Sequence, residues 1–125
     1  MCLTSIMYNQ KKIGNQTEKE FAKMMYDKGW WVHLLNDKVN GQPFDCIMTR
    51  DNKTYFLDIK HVKDKNYFLH SRIEPNQHNA FKMLIKRKTT NCGFAIKFND
   101  GWYFVRYQSL DLENNKTYKE SMSKI

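Results

Sequence analysis

The stretch Pro43–Lys60, PFDCIMTRDNKTYFLDIK, decides how the chain folds. Two runs rich in apolar, β-branched and aromatic residues, Phe44 to Thr49 and Tyr55 to Val62, flank the turn-like connection Arg50-Asp51-Asn52-Lys53. That pattern predicts a β-hairpin. Charges stand where a core face should be apolar: Asp45 follows Pro43-Phe44, and Asp58 and Lys60 are separated by Ile59 alone. Residues i and i+2 of a strand share a face, so Asp58 and Lys60 project together, alongside Phe56 and Val62. As structural residues, Asp45 would cap a turn, and Asp58 and Lys60 would pair on a solvated face. Two carboxylates and an ammonium gathered at one end of a sheet also suit a divalent cation and a phosphodiester.

Upstream, residues 17–28 read as a helix, with Thr17 and Glu20 in capping-box spacing and Gly29 as its stop. The apolar stripe is Phe21, Ala22, Met24 and Met25. At about 100° per residue, Glu18 falls within that stripe and Glu20 on its flank. The capping box accounts for Glu20. An acid on a buried helix face is costly without a partner, and Glu18 has no such account. Trp30 to Leu35 follows as a strand, then a polar segment, Asn36 to Gln42, with the turn signal Asn40-Gly41.

Downstream, Lys63 to Glu74 is charged and aromatic, with Tyr67-Phe68-Leu69 as a short extended piece. Pro75 opens a helix to about Lys88, apolar at Ala80, Phe81, Leu84 and Ile85, with Met83 to the side. Its last turn, Lys86-Arg87-Lys88, suits the negative end of the helix dipole. Cys92 to Phe98 and Trp102 to Tyr107 form a second hairpin around Asn99-Asp100-Gly101. Ser109 to about Met122 reads as a weak helix. The expected order is α-β-β-β-α-β-β. A helix between the third and fourth strands permits a crossover, so an α/β fold with a mixed central sheet flanked by helices is expected.

A length of 125 residues, 41% hydrophobic, with 8 Phe, 7 Tyr and 3 Trp, fits a single domain, 1–125, with a packed core. Lys and Arg total 21 against 13 acids, for a net charge of +8. That excess serves either a polyanionic partner such as nucleic acid or a solubilising surface. From Lys60 to Lys88 eight basic residues stand against two acidic ones, so the excess flanks the proposed site. Lys63, Lys65, Arg72, Lys82, Lys86 and Arg87 are the candidate phosphate contacts.

Cys2, Cys46 and Cys92 form no CxxC pair, which argues against structural zinc and for a reducing compartment. His33, His61, His70 and His78 share no ligand spacing, and His61 should face away from Lys60. G-x-S-x-G, P-loop and G-x-G-x-x-G motifs are absent. The N-terminus lacks the features of a secretory signal, and no apolar run approaches a membrane span. A soluble cytoplasmic protein is expected, bacterial or phage-encoded.

Phosphodiester hydrolysis needs what these groups offer. Hard divalent cations prefer carboxylate oxygens, which Asp45 and Asp58 supply, with a strand carbonyl at Ile59 as a further oxygen. Lys60 would orient the attacking water or stabilise charge on the phosphate, and Glu18 would reach the cation or one of its waters.

The ordered set of pieces resembles the PD-(D/E)xK nuclease superfamily, and within it the Holliday junction resolvases of the archaeal Hjc and bacterial RecU groups. The matching pieces begin with Gly14-x-x-x-Glu18-x-Glu20-Phe21, Gly41-x-Pro43-x-Asp45 and Asp58-Ile59-Lys60. They continue with Pro75-Asn76-Gln77-His78, Gly93-Phe94-Ala95-Ile96 and Trp102-Tyr103-Phe104. The commoner pattern has Glu where Asp58 stands, and the superfamily includes Asp there. The resemblance implies a restriction-endonuclease-like core and a Mg²⁺-dependent (or Mn²⁺-dependent) endodeoxyribonuclease. It implies a homodimer in which each subunit cuts one strand of a branched or four-way junction. By position, Glu18, Asp45 and Asp58 would be the acids, Lys60 the catalytic lysine, and Gln77 a glutamine near the site. A restriction-like or repair nuclease of the same fold, or a non-catalytic DNA-binding module, are the rival readings.

Overall fold

The structure is a computed structural model that describes residues 16–35 and 42–125. Lys11-Lys12, Gly14 and the Asn40-Gly41 turn lie outside the described residues.

Residues 16–27 form helix α1. Its end follows from Gly29, which takes φ +92°, a conformation only glycine adopts without strain. The Trp30 N–H then reaches Met25 O at 3.0 Å, and Gly29 N–H reaches Tyr26 O at 2.9 Å, closing a Schellman motif. The start differs from the expected capping box. Thr17 already lies inside the helix, so it does not occupy the cap position. Glu20 instead accepts a 2.6 Å bond from Lys97 Nζ, across 77 residues of sequence.

Strands β1 (Trp31–Leu34), β2 (Cys46–Arg50) and β3 (Lys53–His61) form an antiparallel meander. Asp51 and Asn52 both have positive φ, 52° and 67°, as a two-residue primed turn requires. Then come a short strand β4 (Tyr67–Leu69), a single 3-10 turn His70–Arg72, and helix α2 (Pro75–Lys86). Proline at the first helical turn loses no hydrogen bond there and fixes φ for the helix. The chain returns in β5 (Cys92–Phe98), parallel to β3, and turns back in β6 (Gly101–Arg106).

The segment expected as a weak helix after Ser109 is 3-10 turns and two short strands. Strand β7 (Lys116–Tyr118) pairs with β4, and β8 (Ser123–Lys124) pairs with β6. A polar stretch without a helical apolar period has no face to bury as a helix, whereas pairing satisfies its backbone. The main sheet is therefore mixed, in the order β1-β2-β3-β5-β6-β8, with β3 and β5 as its parallel pair.

Each face of the sheet carries a core. Phe21 and Met25 of α1 pack with Cys46, Met48, Leu57, Ile59, Ala95 and Trp102. Phe81 of α2 packs on the other face with Val62, Phe68, Phe94 and Ile96, and Phe44, Phe56, Leu84 and Ile85 join that cluster. Alternation along β3 explains the division: Leu57 and Ile59 point to α1, Phe56 and Val62 to α2. Asp58 and Lys60 lie between the latter two and share their face.

Candidate active site

The site lies where β2 runs out beside β3. Strand β2 begins at Cys46, opposite Leu57, while β3 continues four residues further to His61. Asp45 N–H still donates to Leu57 O at 3.0 Å. Beyond that, no strand among the described residues meets the backbone of Ile59 on the β2 side, and the Asp45 carboxylate pairs with its N–H. Ile59 N–H donates to Asp45 Oδ2 at 2.8 Å. The Ile59 carbonyl points to the same side, past the end of β2, by strand alternation.

The chain leading into Asp45 is braced from α2. Phe44 packs against Phe56 and Phe81, with ring centroids 5.7 and 5.1 Å apart. Gln77 is buried. Its Nε2 donates to Pro43 O at 3.4 Å, and its Oε1 accepts from Glu74 N–H at 3.1 Å. One side chain thus caps the start of α2 and holds the chain two residues before Asp45.

Asp58 is 3% exposed. Burial pushes its carboxyl up to about 8, Asp45 beside it pushes the same way, and Lys60 opposes both. Lys60 Nζ stands 3.0 Å from Asp58 Oδ2, an ion-pair distance off the line of a hydrogen bond, so that buried oxygen has no hydrogen-bond donor among the described residues. The ammonium donates instead to Arg72 O at 3.2 Å. Arg72 in turn donates from Nη1 to His61 O at 3.0 Å, and its guanidinium lies 5.9 Å from the Phe68 ring centroid. The single 3-10 turn is thereby pinned over the end of β3, with its last carbonyl above Lys60.

Glu18 is half-buried on the α1 side. Its charge, with that of Asp45, adds to burial in pushing the Cys46 thiol up to about 12. Glu18 therefore faces the start of β2. Among the described residues, no three of His, Cys, Asp and Glu cluster as a ready-made metal site. The donor set nonetheless fits a hard cation. Two carboxylates, Asp45 and Asp58, stand side by side, and one buried Asp58 oxygen has no hydrogen-bond donor among the described residues; a divalent ion held there would satisfy it and would need Asp58 ionised.

The other candidates separate. Lys63, Lys65 and Arg72 line one pocket with His61 and Tyr67 at the end of β3. Lys82, Lys86 and Arg87 are exposed. Lys86 lies nine residues beyond Gln77 on α2, roughly 14 Å along the axis, at the end away from Asp45. His61 follows the strand alternation to the α1 face, where burial and Lys97 lower its pKa. Cys46 and Cys92 are free and buried. Sequence reasoning missed the inward roles of Arg72 and of the Asp45 bond to Ile59; neither leaves a local sequence signal.

The family model described as archaeal Holliday junction resolvase (hjc) matches residues 9–124. No curated protein sequence matches the chain. Among solved structures, the Holliday junction resolvase Hjc of the archaeal hyperthermophile Archaeoglobus fulgidus superimposes with a TM-score of 0.69. It shares 13% identity, over 88% of this chain and 93% of that one. That likeness establishes the fold as restriction-endonuclease-like. The matching family is archaeal by its description, which lends no support to bacterial or phage encoding. No helix among the described residues is long and apolar enough to cross a membrane.

Proposed function

The chain belongs to the archaeal Holliday junction resolvase family, and from that premise we propose that it is a Mg²⁺-dependent endodeoxyribonuclease that resolves four-way DNA junctions as a homodimer. Family membership carries the nuclease function on branched DNA. The observation that supports placing the chemistry at Asp45, Asp58 and Lys60 is the buried Asp58 oxygen without a hydrogen-bond donor, flanked by a second carboxylate and an ammonium.

In this reading Asp45, Asp58 and the Ile59 carbonyl hold the cation, and Glu18 approaches from the α1 side. When bound, the ion supplies Lewis acidity at the phosphate and a water of lowered pKa. Asp58 would have to be ionised to hold the cation, against the burial that favours its neutral form. Lys60, anchored by Arg72 O, keeps its ammonium at the mouth of the site and stabilises the negative charge that develops on the phosphate. Gln77 fixes Pro43 and through it Asp45, so it acts by positioning. Lys63, Lys65 and Arg72 hold DNA backbone beside the site, and Lys82, Lys86 and Arg87 hold it further along α2. These contacts confer affinity without sequence preference.

The test is a synthetic four-way junction beside a linear duplex of matched sequence, with Mg²⁺, with Mn²⁺ and with chelator. Paired symmetric nicks confined to the junction and dependent on the ion are expected. Equal cutting of the duplex would favour a restriction-like or repair nuclease, and no cutting of either would favour a non-catalytic DNA-binding module. Sedimentation should give a dimer; a monomer at working concentration would argue against resolution by paired cuts.

A further inference from the structure

Next to the proposed site, the end of β3 and the 3-10 turn border a half-open cavity of about 110 Å³, where His61, Lys63, Lys65, Tyr67 and Arg72 meet the apolar Val62 and Leu69. This is well below the roughly 300–1,000 Å³ of a small-molecule pocket, so it admits one small group. No acid lines it. The one acid between Lys60 and Arg72 in sequence, Asp64, is turned away by two devices. Its backbone is left-handed, φ 60°, and it is clasped by Asn99 in the turn between β5 and β6. Asn99 Nδ2 donates to Asp64 Oδ1 at 2.9 Å, and Asp64 N–H donates to Asn99 Oδ1 at 3.2 Å. The cavity thus gathers three permanent cations, and the acid nearest them in sequence is held by Asn99.

Arg72 belongs to both places. Its guanidinium forms part of the cavity wall, and its carbonyl holds Lys60 Nζ. We propose that this cavity seats the DNA backbone phosphate adjacent to the one that is cut, on the same strand, and so sets the scissile phosphate against Lys60. The inference rests on the resolvase reading and adds to it a defined phosphate seat. A phosphate of this chemistry is favoured over an organic ligand by the small volume and by three cations with no acid among the described lining residues.

The experiment measures binding in Ca²⁺, which suppresses turnover, to four-way junctions carrying a single methylphosphonate at successive positions around the cut. Wild type should lose roughly tenfold affinity at one position beside the cut, as expected for a charge-assisted contact. The double variant Lys63→Gln, Lys65→Gln should lose a similar factor on unmodified DNA and nothing further at that one position. Its salt slope should fall by about 1–2. Asn99→Ala, which lies outside the cavity and frees Asp64, should weaken binding at the same position by several-fold. Losses that simply multiply at every position, or no sensitive position in wild type, would overturn the proposal. If wild type binds junction and duplex alike and cuts neither, the resolvase reading fails, while the methylphosphonate pattern on the bound DNA still decides the cavity.

Discussion

Replacing the Asp58 carboxyl by an amide should stabilise the metal-free protein while destroying the chemistry proposed for the site. The carboxyl is pushed from an ordinary 3.8 to about 8 by burial and by Asp45. At pH 7 it is protonated in the folded state and ionised in the unfolded chain. Folding must therefore take up a proton, at about 1.4 kcal/mol per pH unit above the unfolded pKa, or roughly 4 kcal/mol at pH 7. Asn bears no such cost, and its amide can donate to Asp45, while Lys60 keeps the Arg72 carbonyl. Asp58→Asn should gain roughly 2–4 kcal/mol at pH 7, about 6–15 °C in melting temperature for a chain of this length. The sign with pH is fixed. The folded state binds more protons than the unfolded one, so wild-type stability falls as pH rises from about 4 to 8. The advantage of Asn should vanish near pH 4, grow through neutrality and level off above 8. Denaturant melts in chelator at pH 4, 5.5, 7 and 8.5 measure this. A variant less stable than wild type at pH 7, or a difference that ignores pH, would refute the reasoning.

Glu18→Gln should lower cleavage at least tenfold with junction binding kept, whereas Glu20→Gln should change cleavage less than twofold. The Glu20 pair with Lys97 is a half-exposed surface bridge worth under about 1 kcal/mol. Gln77→Ala should cost roughly 1–2 kcal/mol in denaturant melts, because it uncaps the Glu74 N–H and releases Pro43 O, and should slow cleavage through Asp45. Gly93→Ala should fail to yield folded protein: a Cβ there would sit 2.1 Å from Val105 O and 2.9 Å from Tyr107 N. Strand backbone has no room to yield, so the cost exceeds the usual ~1–3 kcal/mol of overpacking. Circular dichroism of the purified variant decides it.

Short-range chemistry made most of the fold legible. Gly29, the Asp51-Asn52 turn, Pro75 and the Asn99-Asp100 turn each act within a few residues, and each marks an element boundary close to where the structure has it. The pieces that sequence could not show are pairings between distant short segments. Strands β7 and β8 span three and two residues and exist only because β4 and β6 offer edges. The site divides the same way. Period-2 alternation put Asp58 and Lys60 on one face. The Asp45 bond to Ile59 depends on where β2 ends, the Arg72 anchor on a turn folded back over β3, and the Glu20 partner on a strand 77 residues away.

On the proposed reading, Lys60, held 3.0 Å from Asp58 Oδ2, does chemistry that DNA binding does not need. The direct measurement is Lys60→Ala and wild type side by side on one four-way junction with Mg²⁺, recording cleavage rate and binding affinity together. The account predicts a loss of cleavage of at least a hundredfold, with affinity within a few-fold of wild type. Cleavage at the wild-type rate, or loss of cleavage only in proportion to lost binding, would contradict it.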